Sequence, residues 1–164
     1  MKIIVQKYGG SSLEDTKKIK TVANKIATRV EQDLKLIVVV SAMGSTTDKL
    51  QEMATRISDD PIPREMDMLV TTGEQISASL ISMALKELGV KAISLNAFQA
   101  EINTDSIHSE ASIEKINSSK LRNYLEMYDV LIITGFQGIS EEGNVTTLGR
   151  GGSDTSAVAL AEAF

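Results

Sequence analysis

The stretch Leu36-Ile37-Val38-Val39-Val40-Ser41-Ala42-Met43-Gly44-Ser45-Thr46-Thr47-Asp48-Lys49-Leu50 decides the fold class. Its first five residues form an unbroken apolar run rich in β-branched side chains, the pattern of a strand covered on both faces. Small and hydroxylated residues follow, and then Leu50, Met53, Ala54 and Ile57 recur at helical spacing. A buried strand, a polar loop and an amphipathic helix, in that order, make the repeating unit of a parallel sheet.

The alternation continues outward in both directions. Upstream, Ile3-Ile4-Val5 reads as a strand. A helix over about 13–31 follows, with Ile19, Val22, Ala23, Ile26 and Val30 on one face. Ser11 with Glu14, or Ser12 with Asp15, offers a capping-box-like start. Downstream, Asp59-Asp60-Pro61-Ile62-Pro63 is a loop, 65–70 a short helix, and 74–88 a longer one. The longer helix is expected to bury Ile76, Leu80, Met83, Ala84 and Leu88, with Gly89 ending it. Strands are predicted at 92–95 and 130–133, a short helical stretch around Ile113 and Ile116, and a helix over 121–127. Ser140-Glu141-Glu142-Gly143-Asn144 reads as a turn between hairpin strands, and 154–164 as a final helix. The expectation is one domain of class α/β, a layered α/β/α arrangement around a mainly parallel sheet. In such sheets ligands gather at the carboxyl ends of strands, and the polar, glycine-rich segments fall there.

Composition narrows the function. The 164 residues are 42% hydrophobic and 24% charged, with a net charge of −5, as in an ordinary globular domain. A chain of this length buries roughly 70% of its unfolded surface without staples. The absence of Cys excludes disulfides and thiol chemistry, and a single His, His108, excludes a multi-histidine zinc site. The acidic balance argues against nucleic acid as a partner. No apolar run approaches the ~18 residues of a membrane span, and the amino terminus lacks a signal-peptide pattern. A cytoplasmic setting with no membrane partner is expected.

Four segments carry candidate chemistry. Lys7-Tyr8-Gly9-Gly10-Ser11-Ser12 lies between a strand and a helix, where glycines permit close approach and backbone N–H groups attract anions. Its Lys precedes the glycines, so it is not a Walker A loop. The loop from Ser41 to Asp48 supplies hydroxyls, or simply caps the next helix. In Thr71-Thr72-Gly73-Glu74 the acid either complements a helix start or meets an ammonium group. Gly149-Arg150-Gly151-Gly152-Ser153-Asp154 reads as a second anion cradle whose Arg suits a carboxylate and whose Asp orients a cation, or as a flexible loop with an Asp cap. His108 is read as a solvated loop residue and the methionines as packing.

Taken together, the segments 5–13, 41–50, 65–74, 133–138 and 147–157 resemble the aspartate kinases of the amino-acid kinase family. The resemblance implies the fold shared with carbamate kinase and transfer of the ATP γ-phosphoryl group to the β-carboxylate of L-aspartate, opening lysine, threonine and methionine synthesis. Lys7 would stabilise the transferring phosphoryl, oriented by Asp154. Gly9, Gly10, Ser11 and Ser41 would contact phosphate. Arg150 would hold the substrate α-carboxylate and Glu74 its α-ammonium, with Thr47, Gly151, Gly152 and Ser153 also on the substrate side. Mg²⁺ would arrive with ATP, with no protein metal site. Residues 1–164 would be the substrate-binding portion of the domain. The rest of the nucleotide site and regulatory ACT domains would lie beyond them, leaving a sheet edge uncovered and the fold incomplete at its carboxyl end. A homo-oligomer is implied as well. The alternative is a non-catalytic aspartate-binding or assembly module.

Overall fold

The computed structural model describes residues 2–30 and 34–164. Four parallel strands form the main sheet: β1 (Lys2–Tyr8), β2 (Leu34–Val40), β3 (Ala92–Leu95) and β6 (Val130–Thr134), in the order β1-β2-β6-β3. β2 is central, and each of Leu36 to Val40 is fully buried. Its side chains alternate between two cores, as a strand period of two requires. Leu36, Val38 and Val40 face α1 (Thr16–Ala27) and α4 (Thr72–Glu87). Ile37 and Val39 face a second core with Leu121 and Leu125 of α6 (Ser118–Met127) and Leu160 of α7 (Gly152–Glu162). The layered α/β/α expectation holds.

A second four-stranded sheet was not foreseen. It is built from β4 (Ile102–Thr104), β5 (Ile113–Ile116), β7 (Gln137–Ile139) and β8 (Val145–Thr147), in the order β5-β4-β7-β8. β7 and β8 are the expected hairpin. β5 replaces the predicted helical stretch, because Ile113 to Ile116 pairs antiparallel with β4. Two isoleucines three apart fit a helix, but pairing with a distant strand overrides local spacing. The four-residue α5 (Ala97–Ala100), opened by an Asn96 capping box, is also new.

Helix starts and faces are corrected at two places. Ser11 and Ser12 lie in a 3-10 turn over Gly10–Leu13, and Asp15 caps α1 by accepting the Lys18 N–H at 2.8 Å. The predicted extension of α1 is also corrected: the helix ends at Ala27 with Thr28 as its C-cap, and the N–H groups of Arg29 and Val30 turn back to the carbonyls of Ile26 and Ala27, so Val30 lies past the helix; residue 31 falls outside the described residues. In α4, Ile76, Met83 and Leu88 are exposed, at 49%, 63% and 44%, while Ser77, Ala78, Ile81 and Leu85 are buried. This helix carries apolar residues around most of its circumference, so periodicity offers two stripes, and the one with Ala78, Ile81 and Leu85 is turned to the core shared with Leu36, Val38 and Val40. Its end is as expected. Gly89 takes a left-handed φ of 76°, and the N–H groups of Gly89 and Val90 close on the carbonyls of Lys86 and Leu85. The remaining elements are α2 (Thr46–Ile57) and α3 (Pro63–Val70), which flank the site.

Candidate active site

A cleft of about 670 Å³ opens at the carboxyl end of the main sheet. Lys7, Gly10, Ser41, Thr47, Glu74, Arg150, Gly151, Gly152, Ser153 and Asp154 all line it, so residues 147 positions apart in sequence converge there. Gly9 and Ser11 are not in its lining. Ser11 lines a separate hollow with Tyr8 and Lys18, and its carbonyl accepts from the Lys18 ammonium.

Close backbone approach builds the cleft. A Cβ on Gly10 would stand 2.7 Å from the Ala42 carbonyl, and one on Gly73 2.7 Å from the Ala42 Cβ. The loop after β2 is therefore clamped between the turn after β1 and the start of α4. Gly152 lets α7 begin against Phe136, where a Cβ would meet the ring at 2.8 Å. Phe136 itself holds a left-handed φ of 69°, fixed by donation of its N–H to the Ser156 hydroxyl at 3.0 Å. Sequence carried no signal for that strained backbone.

Two charged arrangements dominate the lining. Lys7 Nζ lies 3.0 Å from Asp154 Oδ1, joining the end of β1 to the first turn of α7. Glu74 is 3% exposed; its Oε1 accepts the Ala42 N–H at 3.0 Å, and its Oε2 is buried without a partner. Burial pushes the Glu74 carboxyl up to about 7, against the pull of its own N–H and that of Ala42. Thus a half-satisfied carboxylate waits in a cleft that also holds an Arg and a Lys. Such a set can bind a small zwitterion: a cation at Glu74 and an anion at Arg150.

Sequence reading missed Asp67, Ser109 and Thr147, which also line the cleft. His108, expected to be solvated, is corrected: its Nδ1 donates to Asp67 Oδ2 at 2.7 Å, and its side chain is only 20% exposed. The pairing spans 41 positions of chain, beyond any local signal.

Comparison with known proteins agrees with this architecture. The family model described as "Amino acid kinase family" matches residues 2–164. An aspartokinase of Geobacillus stearothermophilus and aspartokinase 2 of Bacillus subtilis are each 50% identical over 164 residues, covering 100% of this chain and 40% of theirs. The chain thus spans about 40% of the length of these relatives. The crystal structure of aspartate kinase from Synechocystis superposes with a TM-score of 0.81 at 46% identity, covering 98% of this chain and 26% of that one. E. coli aspartokinase III in complex with lysine and aspartate shares the fold, with a TM-score of 0.86 at 23% identity over 99% of this chain and 47% of that one. With a family match along nearly its whole length and a cleft built at the carboxyl end of a parallel sheet, the chain belongs to the amino acid kinase family.

Proposed function

We propose that this chain forms the acid-substrate side of an aspartate kinase, which moves the ATP γ-phosphoryl group to the β-carboxylate of L-aspartate. The observation that carries the reading is Glu74: a buried carboxylate oxygen with no partner, in one cleft with Arg150 and the Lys7–Asp154 pair. An unpaired buried carboxylate is costly unless a cation completes it, and an α-ammonium group is such a cation. Arg150 then takes the α-carboxylate through parallel N–H bonds. Names and identities of the relatives support aspartate over other acids.

The chemistry needs no general base. The β-carboxylate is ionised at pH 7, so one of its oxygens attacks the γ-phosphorus directly while the bond to the ADP oxygen breaks. The products are an acyl phosphate and ADP. The obstacle is bringing two anions together. Lys7 offsets that charge where it develops, and Asp154 fixes the ammonium in place. Gly10 and Ser41 line the same wall and present small groups to phosphate. Mg²⁺ would arrive with ATP, held mainly by the nucleotide phosphates.

Titration calorimetry with L-aspartate, L-glutamate and N-acetyl-L-glutamate tests the substrate, and a coupled ADP-release assay on the full-length protein tests turnover. L-aspartate is expected to bind and the two glutamates to bind at least tenfold more weakly. Lys7→Ala is expected to lower kcat by about 10³-fold, while L-aspartate affinity changes less than threefold. Turnover retained in that variant, or preference for either glutamate, contradicts the assignment.

A further inference from the structure

Glu74 is not the only buried acid in the cleft wall. Asp67, on α3, is fully buried, and its carboxylate collects donors from two other parts of the chain. Oδ2 accepts from His108 Nδ1 at 2.7 Å, the Ser109 N–H at 3.1 Å and the Thr147 N–H at 3.3 Å. Oδ1 accepts from the Thr147 hydroxyl at 2.7 Å and the Ser109 hydroxyl at 3.4 Å. A buried carboxylate is tolerated when its lone pairs are filled, and here filling them ties three segments into one body.

Those segments lead to Arg150. Thr147 ends β8, and the chain then runs through Leu148 and Gly149 to Arg150. Thr147 is held from both sides, because its carbonyl also accepts the Ala111 N–H at 2.8 Å. Gly149 has a φ of 73°, and a Cβ there would stand 3.2 Å from the Ser109 carbonyl. Ser109 in turn holds a left-handed φ of 69°, a conformation kept by its two bonds to Asp67. The arginine-bearing turn therefore leaves from a residue fixed by Asp67 and rests on another residue fixed by Asp67. The Lys7–Asp154 pair is anchored elsewhere, on β1 and α7.

We propose that Asp67 is a positioning residue, which acts through Thr147 and Ser109 to hold the Arg150 turn in the geometry that grips the acid substrate. It sets affinity for that substrate and leaves nucleotide affinity alone. This rests on the reading that Arg150 binds the substrate carboxylate.

The test compares Asp67→Ala, Asp67→Asn and Thr147→Val in the full-length protein. Asp67→Ala should raise the KM for L-aspartate at least tenfold, with the KM for ATP within twofold and kcat at saturation within threefold. Asp67→Asn should recover most of the loss, because the Ser109 and Thr147 hydroxyls can turn to accept from an amide. Thr147→Val should move the same parameter in the same direction, and it carries the test if Asp67→Ala fails to fold. In a cycle with Arg150→Ala, the Asp67→Ala effect on L-aspartate affinity should largely vanish, since the group it positions is gone. Equal rises in both KM values, or additive effects with Arg150→Ala, overturn the proposal. Amide exchange at residues 148–151 should quicken at least tenfold in Asp67→Ala, and unchanged exchange also overturns it. That readout needs no ligand, so wild-type protein that ignores L-aspartate sinks the substrate reading while the exchange rates still decide whether Asp67 holds the Arg150 turn.

Discussion

Asp67 and Glu74 are both buried acids in the wall of one cleft, seven residues apart on successive helices, and their surroundings differ in one respect. Asp67 receives five hydrogen bonds from His108, Ser109 and Thr147. Glu74 receives one from Ala42, and its second oxygen has no partner. The protein supplies every donor that Asp67 requires and withholds those of Glu74. A saturated buried acid fastens structure, whereas an unsaturated one marks where a ligand completes the site. Both are acids borne on helices, Asp67 within α3 and Glu74 in the first turn of α4, so the difference is set by what the fold brings opposite each.

The comparison breaks most severely at Asp67. Asp67→Ala leaves two backbone N–H groups, two hydroxyls and the His108 ring facing an empty position, so it should destabilise the protein by about 4 kcal/mol. Chemical denaturation at pH 7.5 reads this directly. A loss under about 1 kcal/mol would mean that water replaces the carboxylate without penalty, and the saturated acid would then be no fastener.

Glu74→Gln should do the opposite to stability and more harm to binding. Glutamine keeps the bond from the Ala42 N–H through its amide oxygen and removes the buried charge. L-aspartate affinity should fall about a hundredfold, or about 2.8 kcal/mol. The empty protein should become more stable at pH 8. The sign follows from linkage: burial raises the folded-state value from 4.5 to about 7, so the folded protein holds the proton more tightly than the unfolded chain. The stability this proton gives is complete below pH 4.5 and lost as pH rises through 7, a span worth roughly 3 kcal/mol. Denaturation curves at pH 5 and pH 8 should show that slope in the wild type and a much flatter one in Glu74→Gln. Parallel slopes would remove Glu74 as the buried titrating group.

Why one acid was legible in the sequence and the other was not follows from the same contrast. Leu36 to Val40 announced a central strand because a fully covered strand must be apolar at every position. The glycines at 10, 73 and 152 flagged the cleft because the backbone passes too near other atoms for a side chain. Glu74 stood beside such a glycine but read equally as a helix-start acid or an ammonium partner, and only the resemblance to aspartate kinases chose the second; the fold sets it in the cleft wall. Asp67 sits in an ordinary helical segment, and its donors lie 41, 42 and 80 positions away, two in the loop between β4 and β5 and the third at the end of β8. The inward face of α4 was misread for a related reason. Ala78, Ile81 and Leu85 pack into the core under the main sheet, whereas the equally apolar Ile76 and Met83 stay outside. Patterns local to one element were readable; properties created by the meeting of three elements were not.

The finest probe of the contrast is the pH dependence of binding. If the substrate ammonium completes Glu74, only the ionised acid binds well, so affinity must follow its ionisation. With the carboxyl near 7, L-aspartate affinity should fall about tenfold from pH 8 to pH 6, or about 1.4 kcal/mol. Binding should then release about 0.9 proton at pH 6 and about 0.1 at pH 8, measured by calorimetry in buffers of different ionisation heat. Glu74→Gln should abolish both the slope and the release. His108→Gln should leave both in place, because its ring faces the saturated acid and not the open one. A slope that survives in Glu74→Gln and disappears in His108→Gln would exchange the roles of the two acids, making the cluster around Asp67 the titrating part of the site and Glu74 a passive wall.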